Sequence, residues 1–391
     1  MRTRFTILRG PKVPRGHEDR SPARLTPISD LDCPISVETS DLTPAELRDI
    51  DRDSGVAAVA PVMPTRLVAP VDATTATASS AWGVECIGAA GSRFDGAGVA
   101  VAILDTGIDA NHPTFAGVTK LVQKDFTGEG DGDTNGHGTH CAGTVFGRDC
   151  GGLRIGVARG VTEAYIAKVL DAKGGGTSDV LIQAITWAAE QGARVISMSL
   201  GFDFPGLVKR LEQDHWPTEL ATSTALEAYR SNLRLFDALM ALLRARRAFG
   251  NGVVVVAAAG NESRRDVRKD FRVAVSLPAA ADGVLSVGAL DRAGDMLTVA
   301  PFSNAFPTLC GPGVNIVSAR AGGGLLSLTG TSMATPHVAG AAALWWHALA
   351  ETPRHLGAKA VMSNLVATAR TNAFVLGTDA SDYGVGLVSA P

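Results

Sequence analysis

Aromatic residues are scarce in this chain: 13 Phe, 5 Trp and 3 Tyr make up 5% of its 391 residues. Its core must therefore be packed from aliphatic and small side chains, and the 44 glycines let backbones approach closely. Charge of one sign is lacking too, with 36 Lys and Arg against 39 Asp and Glu and a net charge of −3. Nucleic acid or an anionic membrane surface would find no basic excess to bind. Nowhere do apolar residues run for the roughly twenty positions a membrane-spanning helix needs. The first residues, MRTRFTILRGPKVPRGHEDR, contain no apolar stretch of the kind a secretory signal carries. Cys33, Cys86, Cys141, Cys150 and Cys310 are odd in number and unpaired in spacing, which argues against a disulfide framework and for a cytoplasmic location.

What is present divides at about residue 80. Before it, LTPAELRDI predicts a short helix capped by Thr43 with Pro44 at its first position, GVAAVAPVM predicts a strand, and PVDATTATASS reads as an exposed linker. From Ala81 onward, apolar β-branched runs alternate with helical patterns. They predict a doubly wound parallel sheet with helices on both faces, an α/β fold, behind a small α+β N-terminal unit. Strands are expected at Val99–Asp105, Glu163–Leu170, Ala193–Leu200, Gly252–Gly260 and Gly283–Leu290. A helix is expected over SDVLIQAITWAAEQG, capped by Ser178 or Asp179 and ended by Gly192. Residues 202–250 interrupt the rhythm. An irregular surface insertion is expected first, then a long amphipathic helix with Leu226, Tyr229, Leu233, Phe236, Met240 and Leu243 on one stripe.

Three motifs fall at strand ends or helix starts. ILDTGID leaves Asp105 at the carboxyl end of a buried strand, NGHGTHCAG surrounds His137 with glycines, and GTSMATPHVAG presents Ser332 at the start of a helix of small residues. A serine hydroxyl is a poor nucleophile near neutral pH and needs an imidazole base, which in turn needs a carboxylate to hold its tautomer. Asp105, His137 and Ser332 match these roles. Asn261, in AAAGNES, offers an amide that, with the backbone N–H of Ser332, suits a developing oxyanion. The pair His140 and Cys141 beside His137 raises zinc, but HGTH lacks the glutamate and helical spacing of metalloprotease ligands, so no metal is assigned.

DTGIDANHP, NGHGTHCAG, AAAGN and GTSMATPHVAG, in that order, resemble the motifs of the subtilisin-like serine proteases, or subtilases. The likeness runs from WGVECIGA at Trp82 to YGVGLVSA at Tyr383, and Cys141 leans it toward the proteinase K-like branch. It implies an endopeptidase acting through an acyl-enzyme, with Asp105, His137 and Ser332 as the triad and Asn261 as oxyanion donor. It also implies that Gly174, Gly175 and Gly176, and Ser199, Leu200 and Gly201, clamp an extended peptide by main-chain hydrogen bonds. Ala258, Ala259 and Gly260 would wall the first specificity pocket. DSGVAAVAPVMPTRLVAP resembles the end of a subtilase propeptide, making residues 1–80 a pro-region that chaperones and inhibits residues 81–391 and is cut between about Thr65 and Ser80.

The chain departs from the family where many members bind calcium tightly. Thr114 and Cys150, the latter between Arg148 and Arg154, stand where oxygen ligands would be, so the usual strong site is expected to be lost and no cofactor to be required. The expected partners are an extended peptide or protein substrate and the chain's own pro-region. The rival expectation is a peptide-binding sensor or scaffold held shut by that pro-region.

Overall fold

The computed structural model describes residues 2–10, 35–75, 81–245, 252–352 and 357–391. Cys33 and the last part of the expected linker, residues 76–80, lie outside them. The N-terminal unit comprises β1 (Thr3–Arg9), β2 (Ser36–Leu42), α1 (Pro44–Asp51) and β3 (Val56–Pro61), with the strands in the antiparallel order β2-β1-β3. As expected, Thr43 caps α1. Its hydroxyl accepts from the Glu46 N–H and the Glu46 carboxylate accepts from the Thr43 N–H, a reciprocal pair that satisfies two otherwise free donors.

After β4 (Pro64–Leu67), β5 (Asp72–Thr75) and α2 (Trp82–Cys86) come β6 (Ala100–Asp105), β7 (Lys120–Asp125), α3 (His137–Phe146) and β8 (Glu163–Lys168). Then follow β9 (Gly175–Thr177), α4 (Ser178–Glu190), β10 (Val195–Met198), β11 (Leu200–Phe202), α5 (Phe204–Gln213), α6 (Thr218–Ala245) and β12 (Val254–Ala258). The chain closes with β13 (Val284–Ala293), β14 (Met296–Val299), β15 (Leu309–Pro312), β16 (Ile316–Ala319), β17 (Leu325–Thr329), α7 (Thr331–Ala350), α8 (Ala358–Ala367) and α9 (Ala380–Tyr383).

The central sheet runs β14-β13-β12-β10-β6-β8-β7 with β15 also beside β13, and all its pairings are parallel except β13 with β14. Alternate residues of β6 serve opposite faces: Val101 and Ile103 pack with α3 and α7, and Ala102 and Leu104 with α4 and α6. Strand order reverses at β6, the place where an open α/β sheet forms a crevice beyond its carboxyl edge. Asp105 is the last residue of that strand.

Several sequence expectations require correction. Residues 203–222 are not irregular. Asp203 caps α5 by accepting from the Gly206 N–H, Pro205 sits in its first turn, Leu207 packs on the core between the sheet and α4 and α6, and Phe204 meets the Tyr229 ring edge-on at 6.3 Å. The buried stripe of α6 is rotated from the one expected. Ala221, Ala225, Ala228, Asn232, Leu235 and Leu239 face inward with Phe236, Met240 and Leu243, whereas Leu226 is exposed. Part of the supposed linker is strand β5, antiparallel to β17, because the open edge of β17 offers unpaired backbone groups. Helix α4 starts after Thr177, with no side-chain cap. Asp179 is buried instead near Arg4 and the Thr39 hydroxyl. The end of the helix is as expected: past Glu190 and the capping Gln191, Gly192 takes a left-handed φ of 90° and its N–H donates to the Ala189 carbonyl.

Candidate active site

Asp105, at the end of β6, is fully buried, and its Oδ1 accepts from its neighbour's Thr106 N–H and from His137 Nδ1, both at 2.8 Å. His137 is the first residue of α3, which must start hard against the turn after β6: a Cβ on Gly138 would lie 2.2 Å from the Gly107 carbonyl oxygen. Asp133 fastens this helix start. Its carboxylate accepts from the Gly136 and Thr139 N–H groups and from the Thr106 and Thr139 hydroxyls. Asp133 belongs to none of the three motifs, although an acidic residue just before a helix N-terminus is a capping signal.

Ser332 is the second residue of α7. Pro336, four residues on, has no N–H to give the Ser332 carbonyl, and the Ser199 hydroxyl donates to it instead at 3.2 Å, with Cys141 Sγ at 3.5 Å. The proline thus ties the start of α7 to the strand segment that borders the cleft. Asn261, reached from the end of β12, accepts at Oδ1 from the Thr331 N–H (3.0 Å) and hydroxyl (2.8 Å), so Thr331 fixes the amide's orientation. Thr331 also accepts from the Gly260 N–H.

The cleft is filled by the chain itself. Strand β4 lies antiparallel between β11 and β9, with Leu67 opposite Leu200, Arg66 opposite Gly201 and Gly175, and Thr65 opposite Gly176. The Leu67 N–H donates to the Gly174 carbonyl (2.7 Å) and the Val68 N–H to the Ser199 carbonyl (3.3 Å). A Cβ at Gly176 would fall 2.5 Å from the Val169 carbonyl and 2.8 Å from the Thr65 hydroxyl, so only glycine fits between the end of β8 and β4. Both groups of residues expected to clamp a peptide, Gly174 to Gly176 and Ser199 to Gly201, therefore border one extended segment. Ala258, Ala259 and Gly260 are buried at the end of β12 beside it. The Ser332 hydroxyl donates to the Val68 carbonyl at 2.7 Å, and Asn261 Nδ2 donates to the next carbonyl, Ala69, at 2.9 Å. His137 Nε2 is buried without a hydrogen-bond partner.

Burial opposes a charged His137, but the Asp105 carboxylate outweighs it and the imidazole pKa stands well above its usual value. Burial raises the Cys141 thiol, which lies 3.7 Å from His137 Nδ1. His140 faces away from the site. Its Nε2 donates to the Ile316 and Leu326 carbonyls, and burial pushes its pKa down to about 3. The three groups Asp105, His137 and Cys141 come within 4.8 Å of one another, but His140 is not among them. In the loop after α3, Arg148 donates to the Phe146, Gly117 and Val161 carbonyls (2.8–2.9 Å) and Arg154 to the Ala90, Gly156 and Val157 carbonyls (3.2–3.4 Å). Carbonyls already bonded to two guanidinium groups make a poor set of ligands for calcium.

A doubly wound sheet that gathers an aspartate, a histidine and a serine at its crevice, beneath an extended peptide segment, has the architecture of a serine-type peptidase. Residues 96–386 match the model of the subtilase family, and the chain belongs to that family. It is 36% identical to subtilisin DY of Bacillus licheniformis over 299 residues, 76% of this chain and 90% of that one. It is also 36% identical to an intracellular serine protease of Paenibacillus polymyxa (67% of this chain, 71% of that one) and to the major intracellular serine protease of Bacillus subtilis strain 168 (64% and 68%). The chain is a serine-type endopeptidase. Among the described residues no helix is long and apolar enough to cross a membrane.

Proposed function

We propose that this endopeptidase works through Asp105, His137 and Ser332 and is made as a precursor whose first substrate is its own segment Pro64–Ala69. The observation that carries this reading is the Val68 carbonyl, 2.7 Å from Ser332 Oγ on a segment paired on both sides. For attack, the hydroxyl leaves that carbonyl oxygen, passes its proton to the unpartnered His137 Nε2 and bonds to the Val68 carbonyl carbon. Asp105 stabilises the imidazolium that forms. Asn261 Nδ2 moves from the Ala69 carbonyl to the Val68 oxyanion, beside the Ser332 N–H. His137 then protonates the Ala69 nitrogen, the Val68–Ala69 bond breaks, and water releases the acyl group from Ser332.

Residues 1–80 serve in this reading as pro-region and inhibitor of residues 81–391. Leu8, Ile35, Ala60 and Met63 of that region share the core built on α4 and α6, which supports a chaperone role. Arg148 and Arg154 replace calcium at the loop after α3, and no cofactor takes part. Extended peptides are the substrates. The thiols of Cys86, Cys141, Cys150 and Cys310 and the intracellular relatives favour a cytoplasmic setting, and Cys141 carries the lean toward the proteinase K-like branch.

Turnover of a peptide containing the Val68–Ala69 sequence tests the assignment. Ser332→Ala should lose about a millionfold, the loss known for the equivalent serine of subtilisin. Activity within tenfold of the parent would contradict it.

A further inference from the structure

We propose that Asp203 and Glu262 form an acidic subsite that selects a basic side chain two residues before the residue whose carbonyl is attacked. The inference rests on the reading above, that Pro64–Ala69 lies in the cleft as a substrate does. In that register Val68 supplies the attacked carbonyl and Arg66 is the residue in question. Thr65 and Val68 are buried in the cleft, whereas the Arg66 side chain is 44% exposed. It reaches across the rim to two carboxylates, with Nη1 3.4 Å from Asp203 Oδ1 and Nη2 3.2 Å from Glu262 Oε1.

Both carboxylates are held by the enzyme body independently of Arg66. Asp203 accepts from the Gly206 N–H as the cap of α5, so the element that interrupts the regular βα alternation supplies one wall of the subsite. Glu262 Oε2 accepts at 2.8 Å from Asn304 Nδ2, an amide fully buried and bonded in turn to the Ala259 carbonyl. That leaves Oε1 for the peptide's guanidinium. Three of the five cations that follow Glu262 are engaged elsewhere: Arg265 pairs with Asp382, Arg268 with Asp270, and Arg272 with Asp379 and Asp382. A basic run beside the cleft would by itself suggest a preference for acidic peptides. These pairings blunt that run, and the charges that Arg66 itself meets are the two carboxylates of Asp203 and Glu262.

The test uses full-length chain allowed to process itself and two quenched-fluorescent peptides, Thr-Arg-Leu-Val-Ala-Pro and the same peptide with Gln for Arg. Two exposed ion pairs should favour the Arg peptide about three- to tenfold in kcat/KM at low salt, and the ratio should shrink toward one as salt screens them. In the double variant Asp203→Asn, Glu262→Gln the ratio should be near one at every salt concentration. Asn still caps α5 and Gln still accepts from Asn304, so the ratio reads the charges. Equal kcat/KM for the two peptides in the parent, with cleavage at Val–Ala, would overturn the acidic subsite and leave the register standing. Cleavage of both at another bond would overturn the register and the subsite together.

Discussion

Asn261 makes two kinds of contact, since its Nδ2 donates to the Ala69 carbonyl and its Oδ1 holds Thr331, the residue before Ser332. Asn261→Ala should lower kcat by about a hundred- to a thousandfold, the loss measured for the matching donor of subtilisin. Thr331→Val should lose less, and a kcat effect from it with KM unchanged would mark Thr331 as a positioning residue. Buried imidazoles give a second prediction at this scale. His140 and His337, with pKa values pushed down to about 3 and about 4 by burial, stay neutral in the folded chain at pH values where the unfolded chain protonates them. The unfolded state therefore binds more protons below about pH 6.5, and stability falls as the pH drops. In Ser332→Ala protein, urea midpoints between pH 6 and 4 should reveal a loss of up to about 3 kcal/mol per pH unit. A flat profile would contradict it. Asp105, His137, Asn261 and Ser332, the residues of the proposed site, were legible in the sequence because each sits in a local motif that a strand end or helix start explains. Glu262 and the Ser199 hydroxyl were not, because what they hold lies far along the chain or depends on how two elements meet; Asp133, by contrast, had a local signal in its place just before α3. The proline in GTSMATP is explained by a contact far along the chain, the Ser199 hydroxyl donating to the carbonyl that a residue with an N–H at position 336 would otherwise reach.

At the scale of elements, the loop after α3 is stapled by arginine. Arg148→Ala would strand three carbonyls and should destabilise Ser332→Ala protein by about 2–4 kcal/mol in urea, with a chelator making no difference to either protein. A chelator-induced shift of the parent's midpoint would mean that a cation holds this loop after all. The same scale displays the limits of reading by pattern. Helix α1 and the parallel strands were legible because capping and β-branched runs are local signals. Helix α5 carries the same kind of local signal, the Asp203 cap and Pro205 in its first turn, but its apolar residues Phe204 and Leu207 pack only because α6 lies beside them; β5 has no such signal and forms a strand because β17 has an open edge. The stripe of α6 was misjudged because alanines, too small to dominate a hydrophobic pattern, are the side that packs.

Taken whole, the molecule is a peptidase whose cleft is occupied by an uncut length of its own backbone, running from β4 past Ser332 into β5. In this covered state the His137 pKa is raised, and in the proposed mechanism His137 must be neutral to take the Ser332 proton. Self-cleavage should therefore be slow in acid and quicken about tenfold per pH unit, reaching its plateau well above pH 6.5. The sign for stability is opposite: the protonated pair with Asp105 stabilises the precursor fully below the unfolded value near 6.5, and that contribution is lost as pH rises through the folded pKa. Processing thus becomes fast as the covered state loses this support. A plateau already reached at pH 5 would contradict the raised pKa. The most direct measurement is the intact mass of wild-type and Ser332→Ala chains after incubation at pH 8 with a fluorophosphonate probe. The account predicts a wild-type product beginning at Ala69 and carrying one phosphonyl group, with the variant full-length and unlabelled. A wild-type chain that stays full-length and unlabelled would contradict it.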